Sequence, residues 1–275
     1  MKPEYKRIKL LITVKTHPIP SKKYDELVCT AGVTETGEFI RLYPINFREL
    51  PYEQQYKKYQ WIEVDVAKHS GQDSRKESYR PNCDTLKTLG RIENERSGDW
   101  TERARYVLRN KAKSIEDLRD RQAIDKTSLG IFKPKSIEDL TIQNADPEWP
   151  EKFRAALQQQ RLFETRKNTL VPPRKVPYCF KYKFCCDDSR CTGHHLMIED
   201  WEVGALYWNL IDNGYAPSDA ANAVKQKFFR DIAGPDKDLH FFVGTIAAHP
   251  KTWVIIGTFY PKKGSLDKLN QTSLF

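Results

Sequence analysis

Residues 178–185, Tyr-Cys-Phe-Lys-Tyr-Lys-Phe-Cys, leave the backbone few choices. A period of two puts Tyr178, Phe180, Tyr182 and Phe184 on one face of an extended chain and Lys181 and Lys183 on the other. Such a stretch is a β-strand with one packed and one solvated face. Similar signals recur towards the N-terminus, where residues 8–66 are rich in β-branched and apolar side chains and Ile62, Val64 and Val66 share a face. Residues 26–45 read as two strands around a Glu-Thr-Gly turn, a hairpin.

Between and after these strands the period changes. Residues 47–59 suggest a helix with Pro51 near its start, and residues 70–97 a polar, irregular excursion. Residues 99–123 are charged and helical, with a Ser-Ile-Glu-Asp capping box at Ser114. Residues 128–144 give two strands split by Lys133-Pro134, and a helix begins at Asp146-Pro147. Residues 166–177 form a linker. The last third runs from strand to helix near Asp200, has a helix capped by Ser218 or Asp219, and closes on two apolar strands. The expected class is α+β, with β-rich N-terminal and C-terminal parts around a helical middle segment. The divisions fall at 1–97, 98–168 and 169–264, followed by a flexible tail, 265–275.

With 39% hydrophobic and 12% aromatic residues among 275, the chain can bury a core. No apolar run is long enough for a membrane span, and the N-terminus lacks the pattern of a signal peptide, so a cytoplasmic protein is expected. Lys and Arg outnumber Asp and Glu by 46 to 37, a net charge of +9. A basic globular chain meets polyanions, and nucleic acid is the commonest. Basic and aromatic side chains interleave, which suits bases stacked above a positive groove. The candidate contacts are Lys22, Lys23, Arg41, Lys57, Lys58, Lys181, Tyr182 and Lys183; the competing reading places these rings in sheet cores.

Two further constellations carry chemistry. Cys179, Cys185, Cys186 and Cys191 crowd into thirteen residues, and His194 follows the turn-permitting Gly193. Zinc takes four such ligands from short loops, so Cys185, Cys186, Cys191 and His194 form a candidate structural site, although no Cys-x-x-Cys pair is present. Next to it stand His195, Glu199, Asp200 and Glu202. With His194, they suit a Mg²⁺ or Mn²⁺ site for phosphodiester hydrolysis. The plainer reading makes the acids the first turn of a helix, where the dipole favours them. Glycine-rich phosphate loops and nucleophile elbows are absent from the sequence.

The chain ends Gln-Thr-Ser-Leu-Phe. This resembles the short peptide by which bacterial replication and repair proteins dock on the sliding clamp. The resemblance implies that Gln271 supplies amide hydrogen bonds while Leu274 and Phe275 fill an apolar pocket. A second copy, Gln159–Phe163, is better read as the apolar face of a helix. The leading expectation is a DNA-binding protein of repair, replication or mobile-element defence, tethered to the clamp. A metal-dependent nuclease and a non-catalytic interaction adaptor are the alternatives.

Overall fold

The computed structural model describes residues 4–20, 26–68, 73, 75–94, 98–151, 153–155 and 173–267. The first half is organised by β1 (Lys6–Lys15), β2 (Ile19–Pro20), β3 (Glu26–Val33), β4 (Phe39–Ile45), β5 (Gln60–Lys68) and β6 (Ser78–Arg91). The strand order is β1-β5-β6-β4-β3-β2, and β1 also pairs with β3. The sheet therefore closes on itself as a five-stranded barrel with β2 appended, which removes the unpaired edges of an open sheet. All pairings are antiparallel except β4 with β6. Leu10, Ile12, Val28, Leu42, Ile62, Val64 and Val66 fill one cluster, so the alternation seen at 62–66 points into the barrel.

Two local expectations are corrected. The segment expected to be an irregular excursion contains the fourteen-residue strand β6. Its pairing with β5 supplies the backbone hydrogen bonds, and few of its side chains are buried, so no hydrophobic period announces it. Residues 47–59 do not form one helix but two single 3-10 turns, Phe47–Glu49 and Tyr52–Gln54. Leu50, which precedes Pro51, is extended (φ −61°, ψ 143°), as the proline ring requires of its neighbour.

Gly32 on β3 lies where the barrel is tightest. A Cβ there would come within 2.4 Å of the Leu11 carbonyl oxygen and 2.8 Å of Leu10 Cγ. The first obstacle is backbone and cannot rotate away. Gly32→Val should therefore destabilise the protein by about 1–3 kcal/mol; a thermal melt unchanged from the parent would contradict this packing.

Beyond the barrel lie two layers. Strands β7 (Leu129–Phe132), β11 (His240–Ile246) and β12 (His249–Phe259) form a sheet in the order β12-β11-β7. Leu129, Ile131, Phe242, Val254, Ile256 and Phe259 cluster with Leu11, Val14 and Val33 from the barrel wall. Phe132, Phe241, Val243, Trp253 and Ile255 belong to the core behind. A sheet covered on both faces reads as nearly continuous apolar sequence, as β7 and β11 do.

The third layer is the sheet β10-β9-β8, made of β8 (Ser136–Asn144), β9 (Tyr178–Cys185) and β10 (His194–Met197). Helices α3 (Trp201–Asp212) and α4 (Pro217–Lys225) also contribute to that core, and α4 runs on into a π-helical turn, Gln226–Ile232. The start of α4 differs from expectation: Ala216 is the N-cap and makes no side-chain cap bond, because Pro217 occupies the first helical position. The middle segment supplies α1 (Thr101–Val107) and α2 (Ile115–Asp125). The architecture is α+β with a helical middle.

Candidate functional site

The N-terminus of α2 is fixed by Ser114, whose Oγ accepts from Asp117 N at 3.0 Å and donates to Asp188 at 2.9 Å. That tie brings the first turn of α2 onto the β9–β10 loop and points Glu116 into it. Gly193 turns the loop with φ +90°, a conformation glycine adopts without a Cβ clash. The result is a cluster of Glu116, Cys186, Cys191 and His194 whose candidate ligand atoms all lie within 4.8 Å of one another. Three of the four are nearly inaccessible: Glu116 is 6% exposed, Cys186 4% and His194 8%.

The contacts within the cluster are those of a polar group short of partners. His194 Nε2 lies 2.7 Å from Glu116 Oε1 and 3.4 Å from Cys191 Sγ. Glu116 Oε2 is buried without a hydrogen-bond partner. Cys191 Sγ accepts from Cys186 N at 3.1 Å and from Gly193 N at 3.5 Å. Burial pushes the Cys186 thiol up to about 12, so unaided it stays protonated; a bound cation reverses that preference. In a tetrahedral zinc shell the donors stand roughly 3.3–3.8 Å apart, given metal–ligand bonds of 2.0–2.3 Å. The cluster is near that size and can hold a metal ion.

The ligand set differs from the expected one at one position. Cys185 is outside the cluster, with Sγ 3.2 Å from Glu138 Oε1, because neighbouring residues of a strand face opposite ways and Cys186 takes the inward side. Glu116 replaces it. No sequence signal singled out Glu116, since an acid in a first helical turn is commonplace.

The four candidate catalytic residues do not make a metal-holding group among the described residues. His195 points away from His194 and meets Thr141 Oγ1 at 2.7 Å on the outer face. Asp200 is the N-cap of α3, accepting from Glu202 N at 3.0 Å. Its second oxygen stands 4.0 Å from Lys58 Nζ, which also pairs with Glu202 at 3.2 Å. Burial raises the Asp200 carboxyl to about 7, whereas burial and Lys58 together lower the Lys15 ammonium to about 8 despite Glu202 and Asp200. Lys15 lies over the Phe47 and Trp201 rings, at 4.1 and 5.0 Å. The cap reading of Asp200 and Glu202 is thus the geometry found. Glu199 turns elsewhere, to a cavity between barrel and body.

Several candidate nucleic-acid contacts are withdrawn from the surface. Arg41 is 2% exposed and donates to Ser78 Oγ, Ser128 Oγ and Ser128 O at 3.2, 2.8 and 3.0 Å. Tyr182 is wholly buried, its hydroxyl donating to Phe228 O at 2.5 Å. Lys58 is committed to its two acids. These three are structural: Arg41 and Tyr182 take inward strand positions, and Lys58, in the turn before β5, is held by the acids at the start of α3. Lys183 is exposed but paired with Glu138 at 3.0 Å, while Lys57 is exposed and Lys181 half-buried. Lys22, Lys23, Gln271, Leu274 and Phe275, with the Gln159–Phe163 copy, lie outside the described residues.

A cation-lined cavity that no motif announced lies between α2 and the β11–β12 turn. It has a volume of about 600 Å³ and is lined by Arg75, Arg119, Lys126 and Lys251 over Ala123 and Pro250. Arg75 is engaged with Asp73 at 2.7 Å and with Thr245 O at 2.8 Å. Arg119, Lys126 and Lys251 are exposed and have no ion-pair partner among the described residues.

The chain thus joins a closed barrel to a layered α+β body that carries a buried Glu-Cys-Cys-His cluster. Residues 110–275 match the family model described as Domain of unknown function (DUF8757), and the chain belongs to that family. Residues 6–109, the barrel and α1, match a second model, Domain of unknown function (DUF8758). The search of curated proteins found no match.

Proposed function

We propose that the protein binds nucleic acid, DNA foremost, and is tethered to the sliding clamp by Gln271, Leu274 and Phe275, while a structural zinc ion staples α2 to the β9–β10 loop. The observation that carries the first part is the cavity of about 600 Å³ lined by Arg119, Lys126 and Lys251, in which the lining acid Asp73 is taken up by Arg75. Cations left unneutralised around a concave surface with an apolar floor suit phosphates at the rim and a base or sugar within. The net charge of +9 supports the same partner. The zinc reading rests on the donor set, two soft thiols and a borderline imidazole with one carboxylate, which would fill all four positions from protein. The tether rests on the terminal peptide, and joining a weak DNA site to a weak clamp site raises the effective concentration of each.

Fluorescence anisotropy with labelled single-stranded and duplex DNA tests the reading. The triple variant Arg119→Glu, Lys126→Glu, Lys251→Glu should bind at least tenfold more weakly, with a shallower dependence on salt. Equal affinity of parent and variant would remove this cavity, and no binding to any oligonucleotide would leave the adaptor role. For the tether, deletion of residues 271–275 should abolish co-purification with the clamp; undiminished recovery would refute it.

A further inference from the structure

A second cavity, of about 240 Å³, lies at the seam between barrel and body, lined by Ile19 from the barrel side and Trp149, Val176, Tyr178, Cys179 and Glu199 from the body. It belongs neither to the metal cluster nor to the basic cavity. Close contacts of His17 flank the seam. His17 packs so closely on Gly204 of α3 that a Cβ there would stand 2.2 Å from the ring. The Nε2 of His17 is also 2.9 Å from Arg174 O.

Glu199 is the unusual wall. Its backbone is spent, since N donates to Ile255 O at 2.7 Å and O accepts from His17 N at 3.3 Å. Its carboxylate has no hydrogen-bond or ion-pair partner among the described residues, and burial alone raises it to about 7. Glu199 is half-buried, so its carboxylate, with no protein donor to satisfy it, is left to accept from water or from a ligand with donors. Lys175 does not serve, because its Nζ is bonded to Glu148 O at 2.8 Å. The indole of Trp149 is fixed by a bond from Nε1 to Pro173 O at 2.8 Å.

We infer that this pocket receives a guanine base extruded from a single strand, its N1–H and N2–H donors paired with the two oxygens of Glu199 and its ring set against Trp149 and Tyr178. The inference rests on the nucleic-acid reading above. A carboxylate accepts two parallel N–H bonds in the way it accepts an arginine fork, and guanine is the base whose pairing edge offers two donors side by side. Adenine and cytosine alternate donor with acceptor there. The volume holds one planar heterocycle with a little water, at about 30 Å³ for each water, and flipped bases are read by edge hydrogen bonds and aromatic walls. A divalent cation is disfavoured, because no group of three ligating side chains forms at this seam among the described residues. Lys181 flanks the pocket on the same strand face as Cys179 and is placed for a neighbouring phosphate. Lys251 of the basic cavity and Ile255, which bonds Glu199, share β12 at a separation of ~13 Å for four residues, a distance a short single strand covers.

Titration of the full chain with guanosine and adenosine, followed by ligand-observed NMR and calorimetry, tests the pocket. Guanosine should bind about tenfold or more tighter than adenosine. Glu199→Gln, which sets a donor beside an acceptor, should erase or invert that preference, and Trp149→Leu should weaken both nucleosides. A purely structural Glu199 would not move the preference. The pocket assignment falls if guanosine fails to bind at millimolar concentration, if Glu199→Gln keeps the preference, or if methylguanidine displaces guanosine at equal concentration. In parallel, oligothymidine carrying one central guanine should bind more tightly than oligothymidine alone, and only this increment should vanish in Glu199→Gln. Oligonucleotide binding without guanosine binding sinks the pocket and leaves the DNA reading intact. The reverse sinks the DNA reading and makes the pocket one for free nucleoside.

Discussion

Purified protein should carry about one zinc ion per chain, and Cys191→Ser or Glu116→Ala should remove it with a fall in Tm of about 10 °C. Each of these residues supplies one of four donors, and Cys191 is also where two backbone N–H groups converge. Structural zinc sites contribute folding free energy directly, about 10–16 kcal/mol in small zinc-finger peptides. Here a large core folds around the site, so only part of that figure is at stake. A loss of about 3 kcal/mol or more corresponds to roughly 10 °C in a chain of this size. The damage should be local, loosening α2 from the β9–β10 loop, where the Ser114–Asp188 bond and the exposed Arg190–Asp120 ion pair then remain. Cys185→Ser is the control that separates this arrangement from the one its sequence position suggests, and it should keep both the metal and the Tm. Metal analysis by mass spectrometry and a melt with and without chelator decide the matter. Absence of metal from protein purified without chelator would reduce the cluster to hydrogen-bonded buried thiols.

Arg41→Ala should destabilise the protein by about 3–5 kcal/mol. Arg41 is not an isolated cation, because Ser128, which receives its guanidinium, also donates to Glu77: Ser128 N lies 3.0 Å from Oε1 and Ser128 Oγ 2.6 Å from Oε2. Glu77 and Arg41 are both buried. Removing one partner of such a buried network strands the other charge, and that is the expensive case. The network crosses from β4 of the barrel to Ser128, the residue that leads into β7, so its loss also weakens the join between the two parts. Arg41→Met, which keeps volume but strands Glu77 equally, should be nearly as harmful. Arg41→Met combined with Glu77→Gln should recover much of the loss. Chemical denaturation of the three variants measures this, and a double variant no better than the single one would show that packing rather than charge dominates. A surface role for Arg41 in DNA binding predicts the opposite pattern, normal stability with weakened affinity.

Period-two alternation placed Tyr178–Cys185 and Gln60–Lys68 on strands because each strand buries one face, and burial is what writes a period into sequence. The strand β6 left no such trace, since its stability comes from backbone bonds to β5 while its side chains are largely polar. The cysteine and histidine spacing located three of the four residues of the cluster that can hold a metal ion. Glu116 lies 70 residues before Cys186 in the chain, and only the packing of α2 against the loop joins them. Likewise Lys58, Arg41 and Tyr182 look like surface groups when read by residue type, yet each is consumed by partners distant in sequence.

The sequence by itself determined the class of fold, the strand faces, most of a ligand set and the terminal peptide, because all of these depend on neighbours within a few residues. Closure of the barrel, the identity of the fourth donor, the convergence of Arg119, Lys126 and Lys251, and the half-buried, unpartnered Glu199 at the seam were decided by tertiary structure alone. Each is a property of side chains from separate elements brought to one point, where burial sets the cost of an unpaired charge.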